Sequence, residues 1–148
     1  AGGLPSRRRG RPSAARHGPR LPAPVGRTRP ELVLDAGVRN IVAAAIATRD
    51  YQDVHHAVAT AQAKGSKTIF TNILTSNGYV LRYVTDHFGP LTVIKSSKIR
   101  LGVPNYADDT MTMRGEVTAV EDKFVEVSVR GTNSLGDHVI GTVGIVLP

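Results

Sequence analysis

At 148 residues the chain has room for one domain of ordinary size and too little length for two independent cores. Its 41% hydrophobic and 21% charged content is globular, no apolar run approaches the ~18 residues of a membrane span, and no apolar leader segment follows Ala1. The absence of Cys excludes disulfide scaffolds, zinc–thiolate sites and thiol nucleophiles, and is compatible with a cytoplasmic setting.

The formal charge of +7 is unevenly placed. Eight of the nineteen basic residues (Arg7, Arg8, Arg9, Arg11, Arg16, Arg20, Arg27 and Arg29) fall in residues 1–30 with no acidic residue, leaving eleven basic against twelve acidic in the remainder. That segment is also rich in Pro and Gly, so residues 1–30 are expected to be a disordered tail and 31–148 the folded domain. A basic arm can bind phosphate backbones, but this one has no aromatic side chain to stack on bases, and nucleic-acid binding is not expected.

Within the body, Ile41–Thr48 is a short apolar run, readable as a buried strand or a helical turn. A polar knot follows, Arg49-Asp50-Tyr51-Gln52-Asp53-Val54-His55-His56, and then an Ala-rich short helix, Ala57–Lys64, stopped by Gly65. From Thr68 to His87, Ile69, Ile73, Leu74, Val80, Leu81 and Val84 recur at a helical period, predicting a long helix buried on most sides and ended by Gly89-Pro90. Beyond Pro90 the period falls to two over 91–101, 110–120, 124–132 and 138–147, separated by short turns. A long buried helix followed by an antiparallel sheet is an α+β layout, and it suggests a hot-dog fold with the sheet wrapped round the helix.

Asp50 and His55 are the residues with chemistry to offer. A carboxylate and an imidazole on one loop can divide the two proton transfers of an addition or elimination. Taken alone, an Asp and a His five apart are more often loop caps and surface groups. His56 is expected to face solvent, His87 to complement the helix dipole, and Asp108 and Asp109 to be turn residues. Five scattered His without a His-x-x-x-His pair predict no metal site.

The string Asp50-Tyr51-Gln52-Asp53-Val54-His55, with Ala61 six residues on, resembles the Asp-x-Asn-Pro-(aliphatic)-His motif of the MaoC-type, R-specific enoyl-CoA hydratases. Gln52 stands in the Asn place and Asp53 in the Pro place. Gly102-Val103-Pro104-Asn105-Tyr106-Ala107-Asp108-Asp109-Thr110 resembles that family's Pro-x-x-(Gly)-Asp-Thr entry to a strand. The segments 47–56, 65–67, 72–75, 82–86, 100–104 and 135–138 are similar to the small MaoC-like subunits of actinobacterial steroid side-chain enoyl-CoA hydratases, which share the Gln and Asp departures.

The resemblance implies a hydro-lyase adding water to a steroid side-chain enoyl-CoA in sterol breakdown. Asp50 and His55 would be the catalytic pair, Gln52 would orient water or the pair through its amide, and the backbone N–H of Ile73 would receive the thioester oxygen. It implies no cofactor, since the CoA thioester is the substrate. It also implies a larger MaoC-like partner carrying a zinc-ribbon/OB domain in a 2+2 heterotetramer able to engage a thiolase-like aldolase. A homodimeric fatty enoyl-CoA hydratase or 3-hydroxyacyl dehydratase, and a non-catalytic hot-dog partner subunit, are the alternatives.

Overall fold

The computed structural model describes residues 24–148. In chain order these form β1 (Leu32–Asp35), α1 (Val38–Ala47), a single 3-10 turn (Asp53–His55), α2 (Val58–Ala63), α3 (Ile73–Phe88), β2 (Val93–Leu101), β3 (Thr110–Glu121), β4 (Phe124–Asn133) and β5 (Gly136–Val146). The strands make one antiparallel sheet in the order β1-β3-β4-β5-β2. β3, β4 and β5 form a meander, its strands joined by two-residue turns after Glu121 and Asn133. β2 comes back to pair with β5 and forms one edge.

Alternation explains which side of the sheet is dry. Along β4, Val125, Val127 and Val129 are buried while Glu126, Ser128 and Arg130 point to the outer face. With Met111, Met113, Val117, Val139, Val143 and Ile145 they form a concave apolar floor, on which α3 lays Val80, Tyr83, Val84 and Phe88. Gly115 lets the helix come this close: a Cβ there would sit 2.6 Å from Tyr83 Cε1. The α+β, helix-on-sheet expectation is met.

Three expectations need correction. The long helix starts at Ile73 rather than Thr68, because the Asn72 side chain caps it, accepting from Thr75 N at 2.9 Å. Residues 68–71 are instead an extended strap: Thr71 N donates to Asn105 O, Ala107 N donates to Ile69 O, and Phe70 pairs with Tyr106. Ile73 and Leu74, expected in the core, are 53% and 52% exposed, and the buried stripe runs through Ser76, Val80, Tyr83, Val84 and Phe88. Finally, the ordered chain begins before residue 31. Gly26 N and Arg29 N donate to Val117 O and Gly115 O, so this stretch lies along β3. The other six arginines of the expected tail fall outside the described residues.

Candidate active site

Asp50 is placed by the way α1 ends. Thr48 caps the helix, Arg49 takes a left-handed φ of 57°, Arg49 N donates to Ile46 O at 3.0 Å, and Asp50 N donates to Ala45 O at 2.9 Å. This is the paired hydrogen-bond closure of a Schellman motif, with Arg in the position where Gly is usual. The bend turns the chain back on itself, and His56 Nε2 donates to Asp50 O at 2.7 Å to hold it. His56, expected in solvent, therefore has a structural partner. The 3-10 turn that follows brings His55 round to face Asp50.

His55 is buried, and its Nδ1 lies 2.7 Å from Phe70 O. A carbonyl only accepts, so Nδ1 carries the proton and Nε2 of the neutral ring presents a lone pair. That Nε2 is 3.5 Å from Asp50 Oδ2, too far for a good hydrogen bond and close enough for both atoms to hold one water. The edge-on Phe70 ring, 4.9 Å from the imidazole by centroids, packs against its side.

The Asp50 carboxylate is held from two directions. Asn72 Nδ2 donates to Oδ2 at 2.9 Å, and Gln52 N donates to Oδ1 at 3.3 Å. Chiefly through the Asn72 hydrogen bond, against some opposition from burial, the Asp50 pKa lies below the ordinary 3.8. Near neutral pH the site therefore offers a carboxylate beside the Nε2 edge of the His55 ring. Gln52 contributes its main-chain N–H, while its exposed side chain makes none of the described hydrogen bonds; the orienting part expected of that amide falls to Asn72. Asn72 Nδ2 also donates to Thr48 Oγ1 at 2.9 Å, tying the bend to the start of α3.

These groups open on a cleft of about 290 Å³ lined by Asp50, Gln52, His55, Phe70–Ile73, Leu101–Pro104 and His138. Ile73 is the first residue of α3, where backbone N–H groups lack an intrahelical acceptor and the helix dipole is positive. All four residues singled out from the sequence, Asp50, Gln52, His55 and Ile73, thus line one cleft. Asn72 and His138 were not singled out. The signal for Asn72 was its fitness as a helix cap three residues before Thr75; nothing local marks His138. Among the described residues no group of three His, Cys, Asp or Glu side chains is gathered as for a metal ion.

A curated relative, the 3-oxo-4,17-pregnadiene-20-carboxyl-CoA hydratase beta subunit of Mycobacterium tuberculosis (strain ATCC 25618 / H37Rv), is 58% identical over 119 residues, 80% of this chain and 92% of its own. The chain belongs to the MaoC-type enoyl-CoA hydratase family. Among solved structures, the ChsH1-ChsH2 complex from M. tuberculosis contains a chain that is 56% identical, with a TM-score of 0.82 over 84% of this chain and 98% of that one. The R-hydratase PhaJ1 from Pseudomonas aeruginosa matches at 22% identity and a TM-score of 0.79, over 85% of this chain and 83% of that one. The A. caviae (R)-hydratase involved in PHA biosynthesis matches at 18% and 0.79, over 85% and 98%. At those identities the two R-hydratases speak for the hot-dog fold, which this MaoC-type chain shares. No family model matches the chain.

Proposed function

We propose that this chain is the catalytic subunit of a hydratase that adds water across the α,β double bond of a steroid side-chain enoyl-CoA, in a hetero-oligomer with a second MaoC-like subunit. The observation that carries the catalytic part is the 3.5 Å approach of His55 Nε2 to Asp50 Oδ2 at the mouth of a cleft that also holds the open end of α3. The relative's name, which specifies a pregnadiene-carboxyl-CoA hydratase beta subunit, supports the substrate class and the subunit role.

Held by the two acceptors, a water has its oxygen lone pairs free for the β-carbon. As its C–O bond forms, His55 Nε2 takes one of its protons, and the Asp50 carboxylate stabilises the resulting imidazolium. The double-bond electrons move onto the thioester oxygen, whose developing charge the Ile73 N–H meets at the positive end of α3. The enolate then collapses, and the imidazolium–carboxylate pair returns one proton to the α-carbon. Water adds as OH and H with no change in electron count, so the reaction asks for no redox group, and we propose no cofactor beyond the CoA of the substrate. The setting we propose is the cytoplasm, where acyl-CoA thioesters are available.

The cleft volume of about 290 Å³ sits at the floor of the ~300–1,000 Å³ range of ligand pockets, so a bulky acyl group has to extend beyond this subunit. The edge strand β2 supports a partner there: Val93–Lys98 are exposed throughout, and Leu91 just before them is 72% exposed. The partner's zinc-ribbon/OB domain, the 2+2 stoichiometry and the link to a thiolase-like aldolase rest on the family resemblance and belong to the same proposal. The test is co-purification with the second subunit, followed by loss of enoyl-thioester absorbance on steroid and straight-chain enoyl-CoA. Asp50→Asn and His55→Ala should each lower kcat by about 10²–10⁴-fold with assembly intact. Wild-type rates in both variants overturn the site, and hydration of straight chains alone by the isolated chain returns the fatty-acyl homodimer reading.

A further inference from the structure

In the wall of the cleft lies a second buried imidazole that the proton chemistry does not use. His138, on β5, is 1% exposed, and Ser76, in the first turns of α3, is fully buried. His138 Nδ1 is 2.7 Å from Val103 O and its Nε2 is 2.8 Å from Ser76 Oγ. The carbonyl fixes the proton of the neutral ring on Nδ1, leaving Nε2 to accept from the serine hydroxyl. Both ring nitrogens are thereby engaged, and neither is free for substrate.

The serine hydroxyl has a second neighbour. Its Oγ lies 3.1 Å from Asn72 O, the carbonyl that also accepts from Ser76 N at 3.1 Å. That carbonyl and the N–H of Ile73 are two ends of one peptide group, rigid because its C–N bond has partial double-bond character. The hydroxyl has a single proton, directed at His138 Nε2 and shared with Asn72 O at the longer distance, so Ser76 bears on the peptide whose other end lies at the cleft-lining start of α3, and His138 holds the hydroxyl there. The ring also reaches across to the opposite wall, where Gly102 N donates to His138 O at 2.8 Å and Val103 N donates to Asp137 O at 3.0 Å. This close pairing leaves no room for a side chain at Gly102, whose Cβ would lie 2.3 Å from Asp137 O.

We propose that Ser76 and His138 are a coupled pair of positioning residues that sets the plane of the Asn72–Ile73 peptide, and with it the direction of the oxyanion-binding N–H, by clamping the start of α3 to the Gly102–Pro104 wall. The inference rests on the hydratase reading and assigns new residues to it. Neither residue touches the reacting atoms. Its cost when removed falls on the transition state, where the oxygen carries charge, more than on the bound ground state.

The experiment uses the assembled enzyme with steroid enoyl-CoA and three variants. Ser76→Ala removes the hydroxyl. His138→Asn keeps an amide donor near the Nδ1 position and loses the reach to Ser76; His138→Gln keeps a polar group near Nε2 and so keeps Ser76 engaged. We expect Ser76→Ala and His138→Asn each to lower kcat about tenfold with KM within about twofold, and His138→Gln to restore most of kcat. The double variant Ser76→Ala/His138→Asn should be no slower than either single one, as for two parts of one device. Equal kcat in wild type and Ser76→Ala, a loss carried by KM alone, or equal damage from His138→Asn and His138→Gln in proportion to melting temperature overturns the proposal. Asp50→Asn, assayed alongside, separates the two layers: if it hydrates at the wild-type rate the hydratase reading fails, whatever the positioning variants do.

Discussion

Asn72 joins two tasks that are usually given to different residues. Its Oδ1 caps α3 while its Nδ2 holds Asp50 and Thr48. Truncation to Ala removes a helix cap, at about 1 kcal/mol, and also releases the carboxylate from the donor that keeps its pKa low. Asn72→Ala should therefore melt slightly earlier and lose far more rate than its stability loss explains, with the activity falling off at a higher pH on the acid side; unfolding curves and a pH–rate profile on one preparation check both. The sequence made Asp50 and His55 legible because they sit five apart on one bend. Asn72 reaches Asp50 across 22 residues, and His138 reaches Val103 and Ser76 across 35 and 62, so their partners exist only once the sheet has formed.

The elements divide in the same way. The strands after Pro90 and the short helix α2 follow from period and stop signals that are local. The start of α3 did not, because Ile69 continues the helical spacing although it packs with Ala36, Ile41 and Ala61 in a separate small core. Four-residue β1 is too short to show a period at all. The end of α1 carries strain of a particular kind, since Arg49 holds a left-handed φ of 57° without being glycine. A β-branched side chain fits that conformation worst. Arg49→Val should cost about 1–2 kcal/mol and reduce kcat by shifting Asp50, whereas Arg49→Gly should fold as well as the parent; denaturant midpoints and rates for the pair test this.

For the molecule as a whole, two ionisable groups, His138 shifted by burial and Asp50 by the Asn72 hydrogen bond, make stability a function of pH. His138 has its pKa pushed below 6.5, mainly by burial and against the Val103 hydrogen bond. The unfolded chain then binds a proton that the folded one refuses, so stability is complete above about 6.5 and declines as pH falls through the folded value. Asp50 acts in the same direction only below its ordinary 3.8. Chemical unfolding of the assembled protein over a pH series should show an early decline beginning near 6.5, absent in His138→Gln, and a later acid phase that Asp50→Asn reduces. The hot-dog architecture itself was readable from the order of one buried helix and a run of alternating strands. The size of the cleft was not, because its walls come from four separate stretches of chain.

The strap at Phe70 does two jobs. What fixes the His55 ring is the carbonyl of Phe70, and what fixes that strap is main-chain pairing with residues 105–107, so the base is aimed by atoms every amino acid supplies. The Phe70 side chain, meanwhile, is part of the cleft lining. Chemistry and fit are therefore written in different parts of the same residue, and a lineage could retailor its preferred acyl group at this position while the proton-handling machinery stayed in place.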